Sequence, residues 1–209
     1  LCHSEKVLSL KIRQGYQHRG IERHLAGGPN LRTLPLLESI SGDSCITYAS
    51  AYADLMEGLC SREPDRKAWM IRAFSMELER AANHILCLAD LAKCIAFQRG
   101  FSRLEQLHEA CLELTALLCG NRSGRNLVVP GGVRFDLDKS RISEIASHLK
   151  KILIETGNAA DLMFSTPSVT DRFQGIGRIT NWQCRHTGLS GPVARSCGIN
   201  RDLRRDLPY

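Results

Sequence analysis

The chain has 209 residues, 43% of them hydrophobic and 24% charged, with a net charge of +6; this is enough apolar material for one sizeable core, too much for disorder, and nowhere gathered into the roughly 18 uninterrupted apolar residues of a membrane span. Nine cysteines (Cys2, Cys45, Cys60, Cys87, Cys94, Cys111, Cys119, Cys184 and Cys197) occur without any Cys-x-x-Cys pair, which argues against a zinc knuckle or a secreted disulfide framework and for reduced thiols in a cytosolic compartment, most of them small core residues. Positive charge is densest around Arg195, Arg201, Arg204 and Arg205, but few aromatics interleave with these arginines and no nucleic-acid motif accompanies them, so nucleic acid is not an expected partner.

The N-terminal LCHSEKVLSL is too short and too polar for a signal peptide. From Gly15 to Gly58 the sequence sets His18, Arg19, Glu22, His24, Glu38 and Asp43 among apolar residues and breaks twice at glycines. Charges embedded in sequence destined for burial need partners, so this density marks a candidate site. A short helix begun near Tyr16 would place His18 and Glu22 on one face, where a histidine beside a carboxylate can pass protons near neutral pH, or simply form a salt bridge. His24 reads as an ordinary surface residue.

A helix is predicted from Ile46 to Cys60, begun by Ser41-Gly42-Asp43 and ended before Pro64. The segment from Asp65 to Phe97 contains neither Gly nor Pro, and Asp65 after Pro64 is a good N-cap. Met70, Phe74, Leu78, Ala81, Ile85 and Leu88 recur at threes and fours, as one buried stripe of a long core helix requires. On the same helix Glu77, Arg80 and His84 share a face, read either as a solvated stripe with an i,i+3 ion pair or as a half-buried network meeting a partner subunit or another element's arginines.

A further helix is predicted from Phe101 to about Cys119, stopped by Gly120. A loop with a short strand at Leu127 to Val129 follows, turned by Pro130-Gly131-Gly132, and then a helix from Ile142 to about Phe164. After Thr166-Pro167 the composition turns Gly- and Arg-rich, with short helical pieces at best; ordered loops of this kind tend to carry function. Gly175 and Gly177 in QGIGR lack the strand and helix that a dinucleotide fingerprint needs, and no P-loop occurs. No His or Cys pair has chelating spacing, so no self-contained metal site is expected. The fold class expected is mainly α: a bundle of long helices with small β pieces and Arg/Gly-rich ordered loops, one domain over 1–209.

Five motifs in order carry a resemblance: GYQHRGIE (15–22), RAFSMELERAANH (72–84), VPGGV (129–133), RFQGIGRIT (172–180) and TGLSGPVARSCGINRDLRRDLPY (187–209). Together they are similar to the large subunit shared by respiratory complex I and the membrane-bound nickel-iron hydrogenases, formate hydrogenlyase included. The resemblance runs from about Gln14 to the end, and the stretch from Ser41 to Glu57 resembles most closely the cysteine-less, hydrogenase-4-like branch. It implies a hydrogenase large-subunit-like helical fold docked on a small subunit that carries a [4Fe-4S] cluster. It also implies membrane subunits in the same complex, no membrane span in this chain itself, and a peripheral position on the cytoplasmic side. This chain would bind no cofactor alone, and NAD(H) and quinone would be ligands of the assembled complex. By the same resemblance Glu22, with His18 and Arg19, lies on a proton route, and Asp43, Arg178, Arg195, Asp202 and Arg204 line a buried cavity. Glu77, Arg80 and His84 match the family's ELxRxxxH element, which favours the network reading of that face.

Where the hydrogenases carry their first Cys-x-x-Cys, this chain has Ser41-Gly42-Asp43-Ser44. A neutral hydroxyl is a poor nickel ligand beside a thiolate, so a nickel-iron centre is not expected here. The quinone-binding histidine of complex I falls on an N-terminal hairpin that the resemblance leaves outside this chain, its tyrosine is replaced around Ser41 to Ser44, and the histidine before VPGGV becomes Gly124 or Arg125. A C-terminal segment of the family would likewise lie beyond Tyr209, and a chain of this kind is expected to expose an apolar patch where a partner docks. The expected function is electron and proton transfer within a multisubunit oxidoreductase of the NADH:quinone or formate hydrogenlyase kind. The competing expectations are a nickel-iron hydrogenase subunit with its metal ligands elsewhere, and a scaffold without turnover.

Overall fold

The computed structural model describes residues 1–4 and 6–206, and it is mainly helical. At the N-terminus β1 (Cys2–His3) pairs antiparallel with β2 (Lys6–Val7). Then come α1 (Ile21–Leu25), α2 (Thr33–Leu37), α3 (Cys45–Cys60), α4 (Arg66–Cys94) and α5 (Gln98–Cys119). A hairpin of β3 (Val128–Val129) and β4 (Gly132–Val133) precedes α6 (Lys139–Ser165), and four short helices close the described chain: α7 (Pro167–Phe173), α8 (Asn181–His186), α9 (Gly191–Ser196) and α10 (Leu203–Asp206).

The long helices start where side-chain caps allow. Asp65 accepts the Ala68 N–H at 2.7 Å, and Asp138 accepts that of Arg141 at 2.8 Å, each satisfying an orphan donor of a first turn. Helices α4, α5 and α6 pack in sequence order, and α3 lies against α4 and the hairpin. Their facing residues form the core, with Ile46, Leu104, Leu114, Leu118, Leu127 and Met163 fully buried.

The buried stripe of α4 differs from the expected one. It runs through Ala68, Ile71, Arg72, Ser75, Leu78, Glu79, Ala82, Ile85, Ala89 and Ala92, while Met70 is 64% exposed and Ala81 faces solvent. Leu78 and Ile85 of the expected stripe are buried, and Phe74 and Leu88 pack half-buried against the core; Ala68, Ser75, Ala82, Ala89 and Ala92 beside them let the neighbouring elements approach closely, and Met70 projects outward.

One buried charge pair binds three elements. The Arg72 guanidinium donates to the Glu57 carboxylate twice, at 3.0 and 2.6 Å, and to the carbonyls of Val129 (2.8 Å) and Gly132 (2.9 Å). Glu57 also accepts the Gly131 N–H at 2.6 Å. Both side chains are almost fully buried, and the hydrogen bonds from Arg72 hold the Glu57 pKa below the usual carboxylate value. Helix α3, helix α4 and the β3–β4 turn are thereby locked together. Gly124, at φ +73°, stands over Ile46, whose side chain a Cβ would meet at 2.4 Å, so the loop before the hairpin packs directly on the first turn of α3.

Replacing Glu57 by Ala strands a buried guanidinium. Stability should fall by about 3 to 5 kcal/mol, whereas the double change to Glu57→Met and Arg72→Leu recovers most of it. Urea unfolding of the two variants beside the parent measures both outcomes.

Candidate functional site

The start of α3 is held by an unusual cap. No side chain of its own N-cap, Ser44, serves the first turn. Glu79 of α4 does so instead, accepting the N–H of Ile46 at 2.7 Å, the N–H of Thr47 at 3.0 Å and the Thr47 hydroxyl at 2.6 Å. A carboxylate at a helix N-terminus is favoured by the partial positive charge there. Burial still outweighs these bonds and raises the Glu79 pKa above the ordinary value.

The loop before α3 is drawn to the same place. Asp43 accepts hydrogen bonds from the Ser41 and Ser44 hydroxyls, which lower its pKa, and its carbonyl accepts Asn83 Nδ2 at 2.8 Å. Asp43, Glu79 and Asn83 line a shallow cleft together with His108 and Arg122. Burial, then Arg122, lowers the His108 pKa and so favours its neutral form. Cys45 is turned away from the cleft: its fully buried thiol donates to the Glu38 carbonyl at 3.0 Å, and burial raises its pKa, keeping it protonated. Glu38 is itself buried and accepts the Asn126 N–H at 2.7 Å.

A second polar group forms at the C-terminal segments. Arg204 grips Asp202 as a fork, with Nε to Oδ1 at 3.0 Å and Nη2 to Oδ2 at 2.6 Å, and Arg195 approaches the same carboxylate at 3.8 Å. The Arg204 bonds, above all, hold Asp202 well below the usual carboxylate range. On α4, Arg80 pairs with Glu77, both half-buried. Burial first, then the fields of Arg204 and Arg195, push the Arg80 pKa down against the opposing pull of Asp202. Arg80 thus lies within the field of the charges of the tail, while His84 is exposed.

The opening motif is placed differently from expectation. No helix begins near Tyr16: His18 sits in a turn, Gly20 adopts a left-handed φ of 62°, and α1 begins only at Ile21. His18 and Glu22 therefore do not share a helical face, because the left-handed glycine breaks the chain between them. His18, Arg19, Glu22 and His24 are exposed in this chain, Arg19 donating to the Ile40 carbonyl at 2.7 Å. Of the charges expected to be buried between Gly15 and Gly58, Glu38 is buried and Asp43 lies at the surface; of those expected to line a buried cavity near the end, Arg178, Arg195 and Arg204 are exposed and Asp202 is half-buried. A dry pocket is thus not closed by the described residues alone. Glu79 and the Glu57–Arg72 pair were not foreseen as functional. The available signal was a charged pair, Arg72 and Glu79, spaced i,i+7 beside the apolar stripe of α4.

A family model described as respiratory-chain NADH dehydrogenase, 49 Kd subunit, matches residues 97–209. The carbon monoxide-induced hydrogenase of Rhodospirillum rubrum is 30% identical over 207 residues, covering 98% of this chain and 57% of that protein. A subunit of the F(420)H(2) dehydrogenase of Methanosarcina mazei is 29% identical, covering 98% of this chain and 55% of that protein. Formate hydrogenlyase subunit 5 of Escherichia coli is 29% identical, with 98% and 36% covered. The chain spans little more than half the length of the first two relatives and about a third of the last.

Replacing Glu79 by Gln turns an amide N–H towards backbone N–H donors, and the unmet donors should cost about 1 to 3 kcal/mol. The native Glu79 holds its proton more tightly than an unfolded glutamate of pKa 4.5. As pH rises from that value through the native one, the folded chain must release a proton that the unfolded chain has already lost, and stability falls. The parent's advantage over Glu79→Gln should accordingly be greatest near pH 4 and shrink above it, which urea midpoints between about pH 4 and pH 7 measure.

Proposed function

The chain belongs to the family of the 49 kDa subunit of respiratory-chain NADH dehydrogenase, and from that membership we propose that it serves as the large, electron- and proton-transferring subunit of a membrane-associated multisubunit oxidoreductase. Electrons would pass to or from a [4Fe-4S] cluster on a docked small subunit, with membrane subunits completing the complex and this chain held peripherally on the cytoplasmic side. The partner's cofactor would carry the redox step, while this chain supplies positioning and proton paths. The observation that carries the reading is correspondence along almost the whole chain to proteins named for hydrogenase, F(420)H(2) dehydrogenase and formate hydrogenlyase activity. Quinone and NAD(H) would be ligands of the whole complex.

Two features of the surface support this. First, Leu31, Ile176, Trp182 and Leu203 are between 65% and 99% exposed, which suits a chain that a partner covers. Among the described residues no helix is long and apolar enough to cross a membrane. Second, ionisable groups sit where a partner could enclose them: Glu22, His18 and Arg19 near the start, and Arg178, Arg195, Asp202 and Arg204 near the end. Closure by the neighbouring subunit would dry this face and give its charges the low dielectric that proton transfer exploits. Nickel fits poorly at the loop before α3. The Ser41 and Ser44 hydroxyls are committed to Asp43, and the Cys45 thiol is buried, protonated and turned towards Glu38.

The test uses the assembled complex. Glu22→Gln and Arg195→Met should each lower turnover by about 10²-fold, the lower end of what a proton-transferring group contributes, with subunit composition unchanged. Unchanged turnover with intact assembly would leave only a scaffold. Stoichiometric nickel in the parent complex would favour a nickel-iron hydrogenase with metal ligands outside the residues described.

A further inference from the structure

We propose that Glu79 is a proton-relay carboxyl, exchanging its proton with solvent through the Thr47 hydroxyl on one side and with the His108 imidazole across the cleft on the other. Capping α3 does not require a carboxylate from another helix, since Ser44, a good capping residue, already stands at its N-cap. The chain instead brings to that place a titratable group, almost fully buried, with the exposed Thr47 and the half-buried His108 on either hand. The inference rests on the reading that the assembled complex moves protons.

The bonds of Glu79 suit both of its protonation states. As a carboxylate it accepts the Ile46 N–H at Oε2 and both the N–H and the hydroxyl of Thr47 at Oε1. As an acid it keeps the two backbone bonds, because a protonated carboxyl retains acceptor capacity, and only the hydroxyl bond must reverse. Thr47 Oγ1, 2.6 Å away, can do this: a hydroxyl both donates and accepts, so it receives the new Oε1–H while its own hydrogen turns to solvent. Opposing influences act on the two states. Burial and the charge of Asp43 favour the acid, while the bonds from Thr47 and Ile46 favour the carboxylate.

On its other side Glu79 lines the cleft with Asp43, Asn83, His108 and Arg122. A cleft volume of about 30 Å³ admits a water molecule or two and is far too small for an organic substrate. The groups facing Glu79 are Asp43 from the loop before α3, Cys45 from α3 itself, and His108 and Arg122 across the cleft. Cys45 keeps its proton, Arg122 is paired with Glu109, and Asp43 is made a weak base by the serine hydroxyls. His108 remains as the base, its neutral form favoured by burial and by Arg122. Inward, a proton from solvent joins Thr47 Oγ1 as the hydroxyl's own proton passes to Glu79 Oε1, and the carboxylate becomes the acid. Onward, the acid's proton crosses the cleft through a bridging water to His108, leaving carboxylate and imidazolium, and the imidazolium returns it to solvent.

Infrared difference spectroscopy of the native complex provides the test. As pH falls, a carboxylic acid C=O band should appear that shifts in D2O, is missing in Glu79→Gln and moves in Thr47→Val, which removes only an exposed hydroxyl. After flash release of protons from a caged acid, this band should rise about 10²-fold more slowly in the double variant Thr47→Val/His108→Asn than in the parent, with each single variant between, and turnover should fall about 10²-fold in Glu79→Gln. No band that responds to Thr47→Val, or an unchanged rise in the double variant, would overturn the relay. So would turnover that falls in Glu22→Gln and Arg195→Met but not in Glu79→Gln. Where those two variants leave turnover unchanged it is the functional reading that fails, and the band and its rise alone decide the relay. Thr47→Val assigns the band even where Glu79→Gln does not assemble.

Discussion

The Arg72 guanidinium is the fixed point from which the rest of the molecule is placed. A buried guanidinium is tolerable only where its fork of donors is met, and here Glu57, Val129 and Gly132 meet it. Because Glu57 belongs to α3 and the two carbonyls to the β3–β4 hairpin, satisfying one cation determines how α3, α4 and the hairpin lie together. Two turns further along α4, on the same face, Glu79 holds the opposite end of α3 by its backbone. Helix α3 is thus gripped at both ends by side chains of a single helix, with apolar packing between them. The Ser41–Ser44 loop inherits its position from that grip, and Asn83 of α4 completes it.

Much of the helical framework was legible in the sequence, and the reasons it was legible are local. Asp65 and Asp138 are strong caps, Gly120 is a helix stop, and α4 and α5 carry apolar periods long enough to survive ambiguity in any one residue. Phase was less legible than existence. Leu78 and Ile85 fall where the period puts them, but Met70, as apolar as any core residue, faces solvent while Ala68, Ser75, Ala82, Ala89 and Ala92 are buried, because the distance of closest approach between helices, set by tertiary structure, selects small side chains there. The short helix near Tyr16 failed for a different reason. The spacing of His18 and Glu22 satisfies i,i+4, but periodicity says nothing of the left-handed turn at Gly20, which cancels the shared face.

The charged site was the least legible part. Local sequence could not separate a buried carboxylate from a solvated one, since Glu77 and Glu79 stand two positions apart on one helix and differ only in what other elements bring to them. Glu79 meets two N–H groups of α3 from 32 and 33 residues away, a fact of topology. Conversely, the cluster between His18 and His24 looked buried because apolar neighbours surround it in sequence, yet Leu31 among those neighbours is almost fully exposed. An apolar context implies burial only when something is present to bury it against.

The molecule therefore rests on two kinds of cohesion. From α3 to α6 the helices are long and held by a continuous apolar core, so their geometry follows from burial. From α7 onward the fully buried side chains named in the core are few, namely Val169, Cys184 and Ala194, and the helices are seven residues or shorter. There the order comes from discrete polar contacts: the capping box of Thr180 and Gln183, the Asn181 bond to Cys197 and the Arg204 fork on Asp202. Such contacts have directions and can be remade by a partner, an ion or a change in protonation, whereas a packed core resists continuous deformation. The arginines of the tail stand on the adjustable part, and their field reaches Arg80 on the rigid part. The adjustable part can therefore change its polar contacts without disturbing the bundle beneath it, since its order does not depend on the continuous apolar core.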